Sequence, residues 1–384
     1  MKSRILSLFL IATLCAAVFG SCMEVNPPPV ESAKAEDKML FGYTREFDKR
    51  DFSELLSYSL SIYEGFDINE TPYSVPVGDC VKERMWSEYI FNSSTVFEEN
   101  ADYAAELLEK AKNPGLGVRA IHELGITGKG VNVAIIDQPL AMKHPEFVGK
   151  ITEYKDFCDY QEGVGSMHAP GVTGILAGET CGVAPGVNIY FAATPSWLVD
   201  AQYYADALRW IIETNAGLPD GEKIRVASFS GPNTVNYYPE NMEAYYAATK
   251  EAREAGILVL DAIGGSDGLF INIGYYDIDA PDDISKFSIL FNDTYERQIF
   301  APGHHRTMAE EYAAGQETYM YMARGGISWS IPYIAGVLAL GWEVDPTLTN
   351  GEIIRILLDT AYINSNDQMI VNPTAFINAV KEGK

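Results

Sequence analysis

Three residues, taken in chain order, could together carry out acyl transfer. Asp137 follows the apolar run Val133, Ala134, Ile135, Ile136. A carboxylate there stands at the carboxyl edge of a strand, where it could orient a histidine. His168 opens a stretch of small residues through Gly178 that reads as a closely packing helix. Ser328 follows Gly325 and Gly326, which suit a sharp turn or close backbone packing. After it, Ile331, Ile334, Ala335, Leu338 and Ala339 share one helical face. Pro332 is tolerated near a first turn, where N–H groups lack partners anyway. A serine at a helix N-terminus meets unpaired N–H groups and the positive end of the dipole. Such a serine can attack a carbonyl, a histidine can take its proton, and an aspartate can hold the imidazole. Taken singly, each has a plainer reading: an N-cap, a satisfied core histidine, a turn-forming aspartate.

The elements around these residues narrow the choice. Near-continuous apolar runs cover 131–136, 187–193, 224–229 and 257–260, as for strands buried on both faces. Helical spacing covers 201–214 and 238–255 between them. Strand–helix alternation predicts an α/β domain with a parallel sheet and helices on both sides. In such sheets the site lies at the carboxyl ends of the strands. The glycines of 127–130 precede a strand, so they do not form a dinucleotide fingerprint. Upstream, helical apolar spacing covers 52–63, 82–91 and, more strongly, 95–112, the last stopped by Asn113, Pro114 and Gly115.

The residues flanking the three positions resemble the motifs of the subtilase family, in the family's Asp…His…Ser order. Gly128 through Asp137, then His144-Pro145, resembles the aspartate motif. His168 through Gly178, then Gly182 to Pro185, resembles the histidine motif. Ala301-Pro302-Gly303 and Gly326 through Gly336 resemble the serine motif and its upstream turn. The resemblance spans about 114–384. It implies a three-layer α/β fold with a mostly parallel central sheet flanked by helices. It also implies a serine endopeptidase acting on a peptide or protein through an acyl-enzyme, with Asp137, His168 and Ser328 as the triad. No cofactor is needed for that chemistry, and no metal site is indicated by sequence, structural calcium included. Ser228, Phe229, Ser230 and Gly231 resemble the strand end that pairs with an extended substrate. Asp261, Ala262, Ile263 and Gly264 would line the opposite wall.

There are departures. Gly171 stands where the family usually has a second histidine, and Ile327, Trp329 and Ser330 differ around the serine. The asparagine that usually donates to the oxyanion is absent. Gly265 falls nearest its position, and Ser266 is the nearest side-chain donor. The alternative reading is therefore a subtilase-fold protein that binds peptide or protein with weak or no catalysis.

The remaining features concern address. Residues 1–21 read as a secretory signal, with basic Lys2 and Arg4 before an apolar run too short for a stable span. The residues before Cys22 resemble a bacterial lipobox, so Cys22 is expected to carry lipid and hold the protein to a membrane of the cell envelope. Residues 22–40, with Pro27, Pro28 and Pro29, read as a tether. Residues 41–113 are expected to be a helical extension or a propeptide-like segment, and 114–384 the peptidase domain. A net charge of −25 argues against nucleic acid. Cys158 and Cys181 flank the His168 segment, and the exported address favours a disulfide between them.

Overall fold

The computed structural model describes residues 101–140, 142–158, 166, 168–232, 238–289, 295–311, 317–323 and 325–383, with short pieces at 74–75, 90–93 and 96–97. The signal, the tether, Cys22 and the helix expected over 52–63 lie outside the described residues.

Before the main sheet come strands β1 (Ser74–Val75), β2 (Ile90–Asn92) and β3 (Val96–Phe97), and helices α1 (Ala101–Lys110) and α2 (Val118–Glu123). Then follow β4 (Asn132–Asp137), β5 (Ile151–Asp156), α3 (His168–Ala177), β6 (Asn188–Ala193), α4 (Gln202–Gly217), β7 (Ile224–Phe229), α5 (Met242–Glu254) and β8 (Leu258–Leu260). These build one five-stranded sheet in the order β5-β6-β4-β7-β8, every neighbour parallel. All six residues of β4 are buried. Successive side chains point to opposite faces. Val133 and Ile135 join the core that includes α3 residues Val172, Ile175 and Leu176. Ala134 and Ile136 join a second core with Tyr204, Leu208 and Ile211 of α4 and Tyr245 and Ala248 of α5. Two covered faces explain why β4, β6, β7 and β8 read as unbroken apolar runs. The edge strand β5 does not read that way. Three of its six residues are exposed and three half-buried, and Glu153 and Lys155 suit an edge that must not pair further.

The second half adds β9 (Phe270–Gly274), β10 (Gln298–Pro302), β11 (Arg306–Glu311), β12 (Glu317–Met322) and the long helix α6 (Ile327–Val344). Helix α7 (Asn350–Asp359), the hairpin β13 (Tyr362–Ile363) and β14 (Met369–Ile370), and α8 (Pro373–Lys381) complete the described chain. Helix α6 is apolar all round and long enough to cross a membrane, but 83% of it is buried inside the fold. It packs on α3, β7, β9, β10 and α8, as expected of a helix with no polar face. Pro332 sits inside it, five residues after its first residue. Proline has no N–H for the carbonyl four residues earlier. That carbonyl is Ser328's, and the Ser230 hydroxyl donates to it at 2.8 Å.

Two expected helices upstream are corrected. Residues 90–91, the end of the run expected as helix over 82–91, belong to strand β2 instead, because the open edge of β12 supplies its backbone partners. The helix expected over 95–112 begins at Ala101, since Val96–Phe97 pairs in parallel with Ser74–Val75.

Candidate active site

Four strand ends meet at the carboxyl edge of the main sheet. Asp137 ends β4, Thr194 follows β6, Ser230 follows β7 and Asp261 follows β8. On either side of β4 the chain leaves in a different direction, which opens a crevice in sheets of this kind. Asp137 is buried, and its Oδ1 and Oδ2 lie 2.8 and 3.0 Å from His168 Nδ1. Oδ1 also accepts the Gln138 N–H at 2.8 Å. The carboxylate can only accept, so Nδ1 donates and Nε2 becomes the basic nitrogen. The Ser166 hydroxyl accepts the N–H groups of His168 and Ala169, capping the start of α3.

Ser328 is the second residue of α6, which Gly326 caps in extended conformation. Three contacts carry the serine to this edge. Ser230, just past β7, bonds its carbonyl. Phe229 pairs with Ile136, one residue before Asp137. The ring of Trp329 lies 5.0 Å from that of His168, centre to centre. Ser328 is itself completely buried, and its hydroxyl makes no hydrogen bond to another described residue. Catalytic hydrogen bonds are often long before substrate binds.

A cavity opens beside the pair, lined by Asp137, His168, Tyr204, Phe229, Ser230 and Gly231 among others. Of the four residues expected at the substrate edge, Phe229, Ser230 and Gly231 line this cavity. Ser228 does not: it lies one residue short of the strand's end, buried and paired with Ile135 on one side and Leu260 on the other. The opposite wall is joined to this edge by the Ala262 N–H, which donates to the Gly231 carbonyl at 2.9 Å. Ala262, Ile263 and Gly264 do not line the cavity itself. Their turn is held by Asp261, whose carboxylate accepts from Tyr245 Oη at 2.7 Å, Ile263 N at 2.8 Å and Gly265 N at 2.6 Å. Burial pushes the Asp261 carboxyl up, and these donors oppose it. Gln138, Thr194, Ser196 and Tyr204 also line the cavity. Thr194 was legible in principle, as the residue after an apolar strand; the others needed the packed chain.

The expected oxyanion donors are corrected. Ser266 Oγ accepts the Val259 N–H at 2.9 Å and gives its one proton to Asp267 at 2.8 Å. Gly265 has its N–H committed to Asp261. It also sits at φ +58°, where a Cβ would come 2.0 Å from the Val259 carbonyl oxygen, so an asparagine is excluded there. The expected disulfide is corrected too. Cys181 is a buried thiol, not joined to Cys158. Its Sγ lies 3.4 Å from both Glu146 Oε2 and the Gly174 carbonyl, and burial pushes the thiol up. Glu146 also accepts from the Thr180 hydroxyl and N–H, the Tyr319 hydroxyl and the Cys181 N–H. That network ties the turn after α3 to the loop after β4.

The model of the Subtilase family matches residues 128–376. The chain is 27% identical over 258 residues to Subtilisin E of Bacillus subtilis (strain 168), covering 63% of this chain and 63% of that protein. It is 26% identical over 275 residues to the Serine protease AprX of the same strain, covering 60% of this chain and 61% of that protein. It thus spans under two thirds of the length of these relatives. Two solved structures share the fold. One describes subtilase cytotoxin SubAB assembly, with TM-score 0.55, 14% identity and coverage of 70% of this chain and 96% of that one. The other is the Prenylagaramide maturation protease PagA, with TM-score 0.51, 18% identity and coverage of 69% and 98%.

Proposed function

The chain belongs to the subtilase family, and from that premise we propose that it is a serine endopeptidase. Ser328 is the nucleophile, His168 the general base and acid, and Asp137 the carboxylate that orients it. One observation carries the reading: the buried Asp137–His168 pair at the carboxyl edge of the sheet, with the Ser328 helix end beside it. Ser328 Oγ attacks the peptide carbonyl and passes its proton to His168 Nε2. The carbonyl π pair moves onto oxygen and then returns as the C–N bond breaks. The leaving amine takes the proton from His168. Water repeats the sequence, releasing the acid and restoring Ser328. The Ser328 N–H, at the helix N-terminus, would be the donor that meets the oxyanion. Without a second donor from Ser266 or Gly265, turnover is expected roughly 10²–10³ below a site with both donors.

The substrate is an extended peptide segment, which the Ser230–Gly231 strand end would bind by main-chain hydrogen bonds. We further propose that Cys22 carries lipid and that the enzyme works outside the cytoplasm, tethered through 22–40. The lipobox-like sequence before Cys22 supports this.

The test is labelling of the purified protein with a fluorophosphonate probe. Wild type should label and cleave casein, and Ser328→Ala should do neither. His168→Ala should lose most activity, and the double variant should be little worse, because triad members act as a unit. Equal labelling of wild type and Ser328→Ala would remove the assignment.

A further inference from the structure

Asp137 grips the Nδ1 edge of His168. The face of the ring is covered by Trp329, whose indole is buried and tilted by 31° to it. The seat of that indole is specific. His168 and Gly171 lie three apart on α3 and so share a face. A Cβ on Gly171 would come within 2.9 Å of Trp329 Cζ3 and 2.7 Å of Met308 Sδ. At the other end, a Cβ on Gly325 would stand 1.8 Å from the Gly303 carbonyl oxygen and 2.3 Å from Trp329 Cδ1. Neither glycine has a positive φ. At both positions the indole is among the close neighbours that leave no room for a Cβ. The indole N–H has no partner among the described residues, so a phenyl ring could fill much of the slot without burying an unpaired donor.

We propose that Trp329 is a positioning residue: seated between Gly171 and Gly325, its indole holds the His168 imidazole in the orientation from which Nε2 takes the Ser328 proton. The proposal rests on the reading of Asp137, His168 and Ser328 as the active site. It also makes Gly171 and Trp329 one coupled unit, which explains why both depart from the family pattern together.

The full-length chain tests it through the second-order rate of fluorophosphonate labelling and through kcat and KM on labelled casein, with circular dichroism to establish folding. Trp329→Leu should slow labelling and lower kcat by roughly ten- to a hundredfold, the scale of a misplaced catalytic group, with KM little changed. Trp329→Phe should keep most of the rate, because a ring still covers the imidazole. Gly171→Ala should slow labelling by pushing the indole aside. In the Trp329→Leu background the same change should cost little, a non-additivity expected only of groups in contact. A folded Trp329→Leu that labels at the wild-type rate overturns the proposal. So does a Gly171→Ala whose labelling is unchanged, which decides the matter even if Trp329→Leu fails to fold. A folded wild type that does not label at all overturns the active-site reading beneath it, and this proposal with it.

Discussion

Ser266 and Gly265 show how a turn can consume the donors that a reaction would use. Each lies where sequence points to the oxyanion, and each is committed inside the turn after β8. Ser266→Ala is therefore expected to leave kcat within about twofold. Its cost should appear in stability instead, about 1 kcal/mol from the Val259 N–H that loses its acceptor, read as a lower thermal midpoint. Glu146 is a buried charge tied into the scaffold by several donors. Burial alone would push its carboxyl up, but the Thr180, Tyr319 and Cys181 donors outweigh it and hold it below the ordinary carboxylate value of 4.5. Its folded value is thus lower than its unfolded one. The stability it adds is present above the unfolded value and is lost as pH falls through the folded one. Glu146→Gln should cost about 2 kcal/mol at neutral pH. Thermal melts from pH 7 to 3 should show a shallower acid decline in the variant than in wild type.

The segment before the main sheet behaves as part of the fold. Strand β2 adds a third strand to the β11–β12 hairpin. Phe91 is buried against Tyr321 at 5.4 Å, which contributes roughly 1.5–3 kcal/mol. Asn92 donates to the buried Glu310 carboxylate at 2.9 Å. Helix α1 packs on β12, and the Lys112 ammonium lies 3.7 Å over the Tyr319 ring. Cutting this segment away would expose Phe91's site and strip a donor from a buried carboxylate. Residues 90–112 are therefore expected to stay with the active protein. N-terminal peptide mapping should give the same mature start for wild type and Ser328→Ala. A start near Gly115 in the wild type alone would identify a self-removed propeptide instead.

At the scale of the whole molecule the chain is strongly acidic, with 53 acidic against 28 basic residues. Such a charge favours solubility and says nothing of the fold. The proposed attachment rests on Cys22, which lies outside the described residues. Cys22→Ala should move the protein from the membrane fraction to the medium or periplasm. One acyl chain anchors only marginally, so stable attachment needs more than one. Unchanged membrane partition of Cys22→Ala would exclude lipid at that position.

The sequence by itself determined the central strands, the helices between them and the order of the three chemical groups. Those features are local: a strand covered on both faces must be apolar throughout, and a helix carrying small residues must pack closely. The edge strand β5 was hidden because half of it faces water and its pattern is that of a loop. Strand β2 was hidden because its only reason to be a strand is the edge of β12, more than two hundred residues later. Only the tertiary structure decided where Ser228, Ser266 and Cys181 spend their bonding capacity. Cys181 meets Glu146, and Ser266 the Val259 N–H, because packing brings these partners within reach. The same holds for Trp329, an unexplained departure in the sequence whose place against His168 exists only once α3 and α6 are packed.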